Sequence, residues 1–185
     1  LVPLYTSVLT TEEYGTYDLF STTVALIIPF LTLNIRESTI RFALDKEYDI
    51  NQIFSISIIY GLWSVVCFIL ILAINRLFRF SMVINQYKLL ILGLFISQAL
   101  NGIITSFVRG LDRLKDIAVS SVICSITIIT LNIVTLLPLH MGLTGYFIAN
   151  IIGPLIQSVY LFFVCGGWKY INLIGINKEI NRKMR

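Results

Sequence analysis

Apolar residues fill this chain in runs of about twenty, and short polar clusters separate the runs. Residues 53–75 and 89–108 are uncharged throughout. At about 1.5 Å per residue, each can cross a hydrocarbon core of roughly 30 Å. Residues 17–34 form a further run, in which Pro29 is expected to introduce a kink. Residues 117–168 carry no formal charge with His140 neutral, and are too long for one crossing. The segment LPLHMG at 137–142 divides them into spans at 117–136 and about 143–168, and Gly153-Pro154 is expected to bend the second. Residues 1–9 are apolar but short, and read as the end of a first helix that began upstream. The polar clusters read as a turn at 10–15, a mixed-charge connector at 36–52, a short loop at 76–88, a tight charged connector at 109–116 and a basic, water-facing segment at 169–185. The expected fold is all-α, a polytopic transmembrane helix bundle of five full spans and one partial span.

Within the spans the polar residues are not scattered. Gln98, Asn101, Thr105, Arg109 and Asp112 keep to an arc of about 80° if residues 89–113 are helical. Such a stripe faces other helices or a water-filled cavity in preference to lipid. Thr23, Asn34, Glu37 and Arg41 follow one face if the helix of residues 17–34 continues beyond its end. Ser57, Tyr60 and Ser64 mark the third span, Ser121, Ser125, Asn132 and Thr135 the fifth, and Tyr146, Asn150, Gly153, Gln157 and Tyr160 the sixth. Small and hydroxylated residues also serve simple helix packing, so each stripe alone has two readings. Five together, two of them with amides at membrane depth, favour a hydrated internal surface.

Composition agrees with a membrane protein. Hydrophobic residues make up 57% and charged residues 13%, against about 25% charged in soluble domains. The mean hydropathy is +0.86. The net charge of +4 comes from basic residues placed between apolar runs, a pattern of membrane topology and not of a nucleic-acid surface. Cys67, Cys124 and Cys165 lie inside apolar runs without metal-ligand spacing, and act as small hydrophobes. No Ser/His/Asp set, carboxylate pair or metal constellation supports catalysis, and no cofactor is expected.

Loop charge sets the orientation. Arg36, Arg41, Lys46, Arg109, Arg113, Lys115, Lys169, Lys178, Arg182, Lys183 and Arg185 fall on one side of the membrane, and only Arg76, Arg79 and Lys88 on the other. The positive-inside rule makes the first side cytoplasmic.

The opening run LVPLYTSVLTTEEYGTYDLF, the L-T-x-x-E-Y-G turn it contains, Arg41-Phe42 after the second helix and F-V-R-G-L at 107–111 resemble the polysaccharide flippases. These are the O-antigen and capsular repeat-unit exporters of the multidrug/oligosaccharidyl-lipid/polysaccharide superfamily. The resemblance covers essentially the whole chain and implies the N-terminal six-helix lobe of a two-lobed transporter in a bacterial cytoplasmic membrane. Its partners would be membrane lipids, a C-terminal lobe joined through residues 169–185, and a lipid-diphosphate-linked oligosaccharide moved by alternating access. On that reading the candidate substrate-binding residues are Arg41, Arg109, Asn34, Gln98, Asn101, Asn150 and Gln157, with no catalytic or metal-binding set. Arg41 and Arg109 end polar stripes at the cytoplasmic mouth, where guanidinium suits a diphosphate. Arg36 lies about 140° from the Arg41 stripe and serves as a reference position. The alternatives are a cation or drug antiporter of the same superfamily, an integral-membrane glycan enzyme, or a structural bundle.

Overall fold

A capping box starts the first helix. Thr10 Oγ1 accepts from the Glu13 amide at 3.2 Å, and Glu13 Oε2 accepts from the Thr10 amide at 2.9 Å, so two of the donors a helix start leaves open are satisfied reciprocally. The computed structural model describes residues 10–45, 48–78, 81–170 and 184. The partial span expected at 1–9, Lys46, Arg79 and most of the segment 169–185 lie outside the described residues. Among the described residues there are six α-helices and no strand. They are α1 (Thr11–Leu31), α2 (Ile35–Leu44), α3 (Ile50–Phe78), α4 (Met82–Gly110), α5 (Leu114–Leu136) and α6 (Gly142–Val164), followed by a short 3-10 helix, Gly167–Tyr170. The all-α expectation holds. Four helices are long and apolar enough to cross a membrane, and α1 with α2 passes as a fifth, broken span.

Three local expectations need correction. Residues 10–15 are the cap and first turn of α1 and not a free turn, because the capping box lets the polar cluster continue directly into helix. The mixed-charge connector beginning at Arg36 is largely helix α2, bent 57° from α1. The break falls at Thr32–Asn34 and not at Pro29 itself. Pro29 has no N–H to give the preceding turn, yet α1 carries it and ends two residues later in a Schellman motif. Asn34 N donates to Pro29 O at 2.8 Å and Leu33 N to Phe30 O at 3.3 Å. Leu33 and Asn34 take φ of 50° and 53°, left-handed values that glycine usually supplies. Pro154, by contrast, sits inside an uninterrupted α6.

α4 is the axis of the bundle, packing on α1, α2, α3, α5 and α6. Its most apolar stretch is 50% buried, against 11% for α5. Phe95 stacks on Phe68 of α3 at 4.1 Å, and Tyr17 of α1 meets Tyr146 and Phe147 of α6 at 4.3 and 5.1 Å. α2 crosses α4 closely. A Cβ at Gly110 would lie 2.4 Å from Ala43 Cβ, so glycine is what permits the approach. Thr39 Oγ1 and Ser57 Oγ, 2.6 Å apart, tie α2 to α3. Outward, Leu19, Leu26, Phe30, Leu62, Trp63 and Phe163 are exposed, a surface that hydrocarbon solvates and water would not.

Candidate functional site

The polar residues of α4 sit about nine residues, or roughly 13 Å, from its C-terminal end. There they meet α6 and α5. Thr105 Oγ1 donates to Asn101 Oδ1 at 2.8 Å. Asn101 Nδ2 donates to Gln157 Oε1 at 2.8 Å and to Pro154 O at 3.3 Å. Gln157 Nε2 donates to Ser120 Oγ and Ser121 Oγ, both at 3.2 Å, and both serines donate to Ile117 O, at 2.8 and 2.9 Å. Every bond runs in one sense, from α4 through α6 to a backbone carbonyl of α5. Such a chain holds three helices together where apolar burial gives no advantage over lipid.

Beside this relay lies an open cavity of about 280 Å³, lined by Arg36, Gln98, Asn101, Gly102, Thr105, Pro154 and Gln157. Arg36 is the second residue of α2 and is exposed. Its guanidinium stem crosses α4 over Gly102, where a Cβ would come within 2.6 Å of Arg36 Nε and 2.8 Å of Cζ. The missing side chain at Gly102 is therefore the seat of the arginine. A cation on lipid-facing helix surface costs about 2.5–3.5 kcal/mol even on the most lenient scale, so a polar, open cavity is the place where Arg36 is tolerated. Among the described residues no carboxylate lines the cavity.

The predicted residues divide. Gln98, Asn101 and Gln157 converge on the cavity. Asn150 does not line it, and its Nδ2 donates to Tyr146 O of its own helix at 2.9 Å. Asn34 is exposed at the α1–α2 break. Arg41 is exposed in the last turn of α2, its guanidinium carbon 5.8 Å from the Phe42 ring centre. Arg109 is exposed in the last turn of α4. Asp112 leaves the α4 stripe, because the helix ends at Gly110 and Asp112 takes φ 59° beyond it. The charged pair of this turn is instead Arg113 Nε with Asp116 Oδ2 at 2.7 Å, and Arg113 Nη1 also donates to Val164 O at 3.0 Å.

The stripe on α3 serves packing. Ser57 and Ser64 are fully buried, Ser57 on Thr39 and Ser64 on Gly61 O. Sequence reasoning missed Arg36, Ser120 and Gly102. It set Arg36 aside because Arg36 lies about 140° from Arg41 on the same helix, and phase within α2 does not say which of its faces meets α4. The signal that could have found it is Gly102 beside Asn101, a gap next to a polar stripe.

A sequence model of the family described as polysaccharide biosynthesis protein matches residues 1–184. The chain belongs to that family. No curated protein and no solved structure matches it. Family membership assigns the chain a role in polysaccharide biosynthesis, and with its apolar helices of spanning length makes it a multi-pass membrane protein. The cavity is then a polar recess inside a membrane-embedded family member, with one arginine at its edge.

Proposed function

We propose that this chain forms the N-terminal lobe of a flippase that moves a lipid-diphosphate-linked oligosaccharide from the cytoplasmic to the outer leaflet. The observation that carries the reading is the Arg36–Gly102 seat beside the Gln98, Asn101, Thr105 and Gln157 cavity. In this reading Arg36 neutralises the diphosphate, for which its planar fork of donors is suited. Gln98 and the amides and hydroxyl of the relay offer hydrogen bonds to sugar hydroxyls. Arg41 and Arg109, at the ends of α2 and α4, meet the headgroup as it arrives from the cytoplasmic surface. A second lobe closes the cavity from the other side, so this chain alone is not expected to transport.

The test is export of surface polysaccharide in a flippase-deficient strain complemented with the full transporter. Arg36→Ala should abolish export, and Arg36→Lys should lose most of it while expression stays normal. Arg41→Lys and Arg109→Lys should lose less. Export at wild-type level in Arg36→Lys would remove the phosphate-binding role. The orientation is checked by cysteine labelling with an impermeant reagent on a background lacking Cys67, Cys124 and Cys165. Thr11→Cys and Met141→Cys should label in intact cells, and Lys46→Cys and Lys115→Cys should not.

One observation bears on the antiporter reading. Asp18 is an exposed carboxylate in the second turn of α1, at the outer end of the 17–34 span, and antiporters of this kind use a carboxylate set deeper in the membrane to exchange protons or sodium for cations. Loss of cation efflux in Asp18→Asn, with polysaccharide export unaffected in Arg36→Ala, would favour that reading.

A further inference from the structure

The other half of α4 borders a second recess, of opposite character. It is a groove of about 360 Å³ between α1, α3 and α4, walled by residues such as Phe20, Ile27, Phe68, Leu72, Ile84 and Ile91. Among the described residues only Thr23 and Asn75 interrupt the apolar lining. Along α3 it runs from Phe68 to Asn75, about 10 Å at 1.5 Å per residue. At its end Asn75 Nδ2 donates to Asn85 Oδ1 at 3.2 Å and to Ser81 O at 3.3 Å, and Asn75 Oδ1 accepts from Ser81 N at 3.2 Å. Asn85 belongs in turn to a cleft of about 380 Å³ lined by Arg76, Met82, Asn85 and Lys88. The groove and the cleft thus lie on either side of the hydrogen-bonded Asn75–Asn85 pair, the first apolar and the second cationic.

We propose that the two recesses together bind one anionic phospholipid, with a hydrocarbon chain in the groove and the phosphate between Arg76, Lys88 and Asn85. Three observations select this occupant. The groove is about 10 Å long and apolar along that length, a lining that matches a hydrocarbon chain. The mouth is uncompensated. Among the described residues no carboxylate lines either recess, and the sequence has no Asp or Glu between Asp49 and Asp112. Arg76 and Lys88 are also two of the three basic residues that stand against the loop-charge bias, so topology gives no reason for them. By that bias the headgroup lies in the outer leaflet. The proposal rests on membrane embedding and not on the transport reading.

The test is native mass spectrometry of the purified full-length protein, released from micelles doped with dioleoylphosphatidylglycerol or dioleoylphosphatidylcholine. The wild type should retain one phosphatidylglycerol under conditions that strip phosphatidylcholine. Arg76→Gln and Lys88→Gln should each weaken retention about fivefold, the effect of one cation near an anionic headgroup. Arg76→Lys should retain the lipid. Leu72→Trp, which fills the groove and leaves the mouth intact, should release it. Arg36→Ala should bind phosphatidylglycerol as the wild type does, which separates this site from the transport cavity. Equal retention of the two lipids, or undiminished phosphatidylglycerol in Leu72→Trp, would overturn the proposal. So would an Ile71→Cys thiol that stays shielded from a membrane-dissolved maleimide in lipid-free micelles, since a protein segment would then cover the groove.

Discussion

The two ends of α4 border recesses of similar size, yet they are held open by different forces. Toward its N-terminus the walls are aromatic and aliphatic, and the helices meet through rings such as Phe68 on Phe95. Toward its C-terminus the walls are amides, hydroxyls and one guanidinium, and the helices meet through the Thr105–Asn101–Gln157–serine relay. In water the first end would be much the more stable, because burial of rings removes them from solvent. In a bilayer the rings gain only packing, while the relay keeps its hydrogen bonds in a medium that offers no substitutes. The contrast teaches that one helix is held in two ways, by close-packed rings at one end and by directional hydrogen bonds at the other, and that only the second end presents polar groups to its recess.

That contrast can be broken by mutation. Phe95→Ala should have the largest effect on folding, because a fully buried ring is removed from its stack on Phe68. The expected loss is about 3–5 kcal/mol, read by unfolding in mixed micelles. A loss below about 1 kcal/mol would mean that the aromatic end does not fix the bundle. Gly102→Leu should cost tenfold or more in export with little loss of stability, since its side chain occupies the seat of the Arg36 guanidinium. Gly93→Ala on the same helix meets only the Ile151 side chain, at 3.1 Å, and should keep export within about twofold. Equal defects in the two glycine variants would show that α4 packing, and not the arginine seat, is what export senses.

The smallest effect sharpens the comparison most. Gln157→Leu should destabilise by about 1–2 kcal/mol, because Asn101 and two serines lose a partner at membrane depth. Asn101→Leu combined with Gln157→Leu should cost less than the sum of the single changes, with a coupling of about 0.6–1.7 kcal/mol. Strict additivity in the same unfolding assay would mean that the relay is only a geometric coincidence.

Much of this was legible in the chain. The apolar runs at 53–75, 89–108 and 117–136 lie inside α3, α4 and α5, and LPLHMG marks the α5–α6 turn. The run length alone carries this, since a bilayer demands about twenty apolar residues per crossing. The α4 stripe was readable because helical phase within one element is fixed by its 3.6-residue period. Gln98, Asn101 and Thr105 therefore appear together in the cavity, as their spacing requires. The stripe on α3 looked the same in sequence but ends in packing against α2, because phase says which residues share a face and not what that face meets.

What the sequence by itself determined is the position and polarity of the apolar spans, since each follows from local periodicity and hydrophobic run length. What only the tertiary structure decided is which faces meet. Leu33 and Asp112 take left-handed backbone values at two helix ends without a glycine to announce them. The first of these turns α2 by 57° and carries Arg36 onto α4. The partnership of Asn101 with Gln157, 56 residues apart, likewise depends on how α6 rotates against α4. A helix encodes its own phase in its sequence, but the rotation of one helix against another is set by close approaches such as Gly110 on Ala43, which exist only once the bundle has formed.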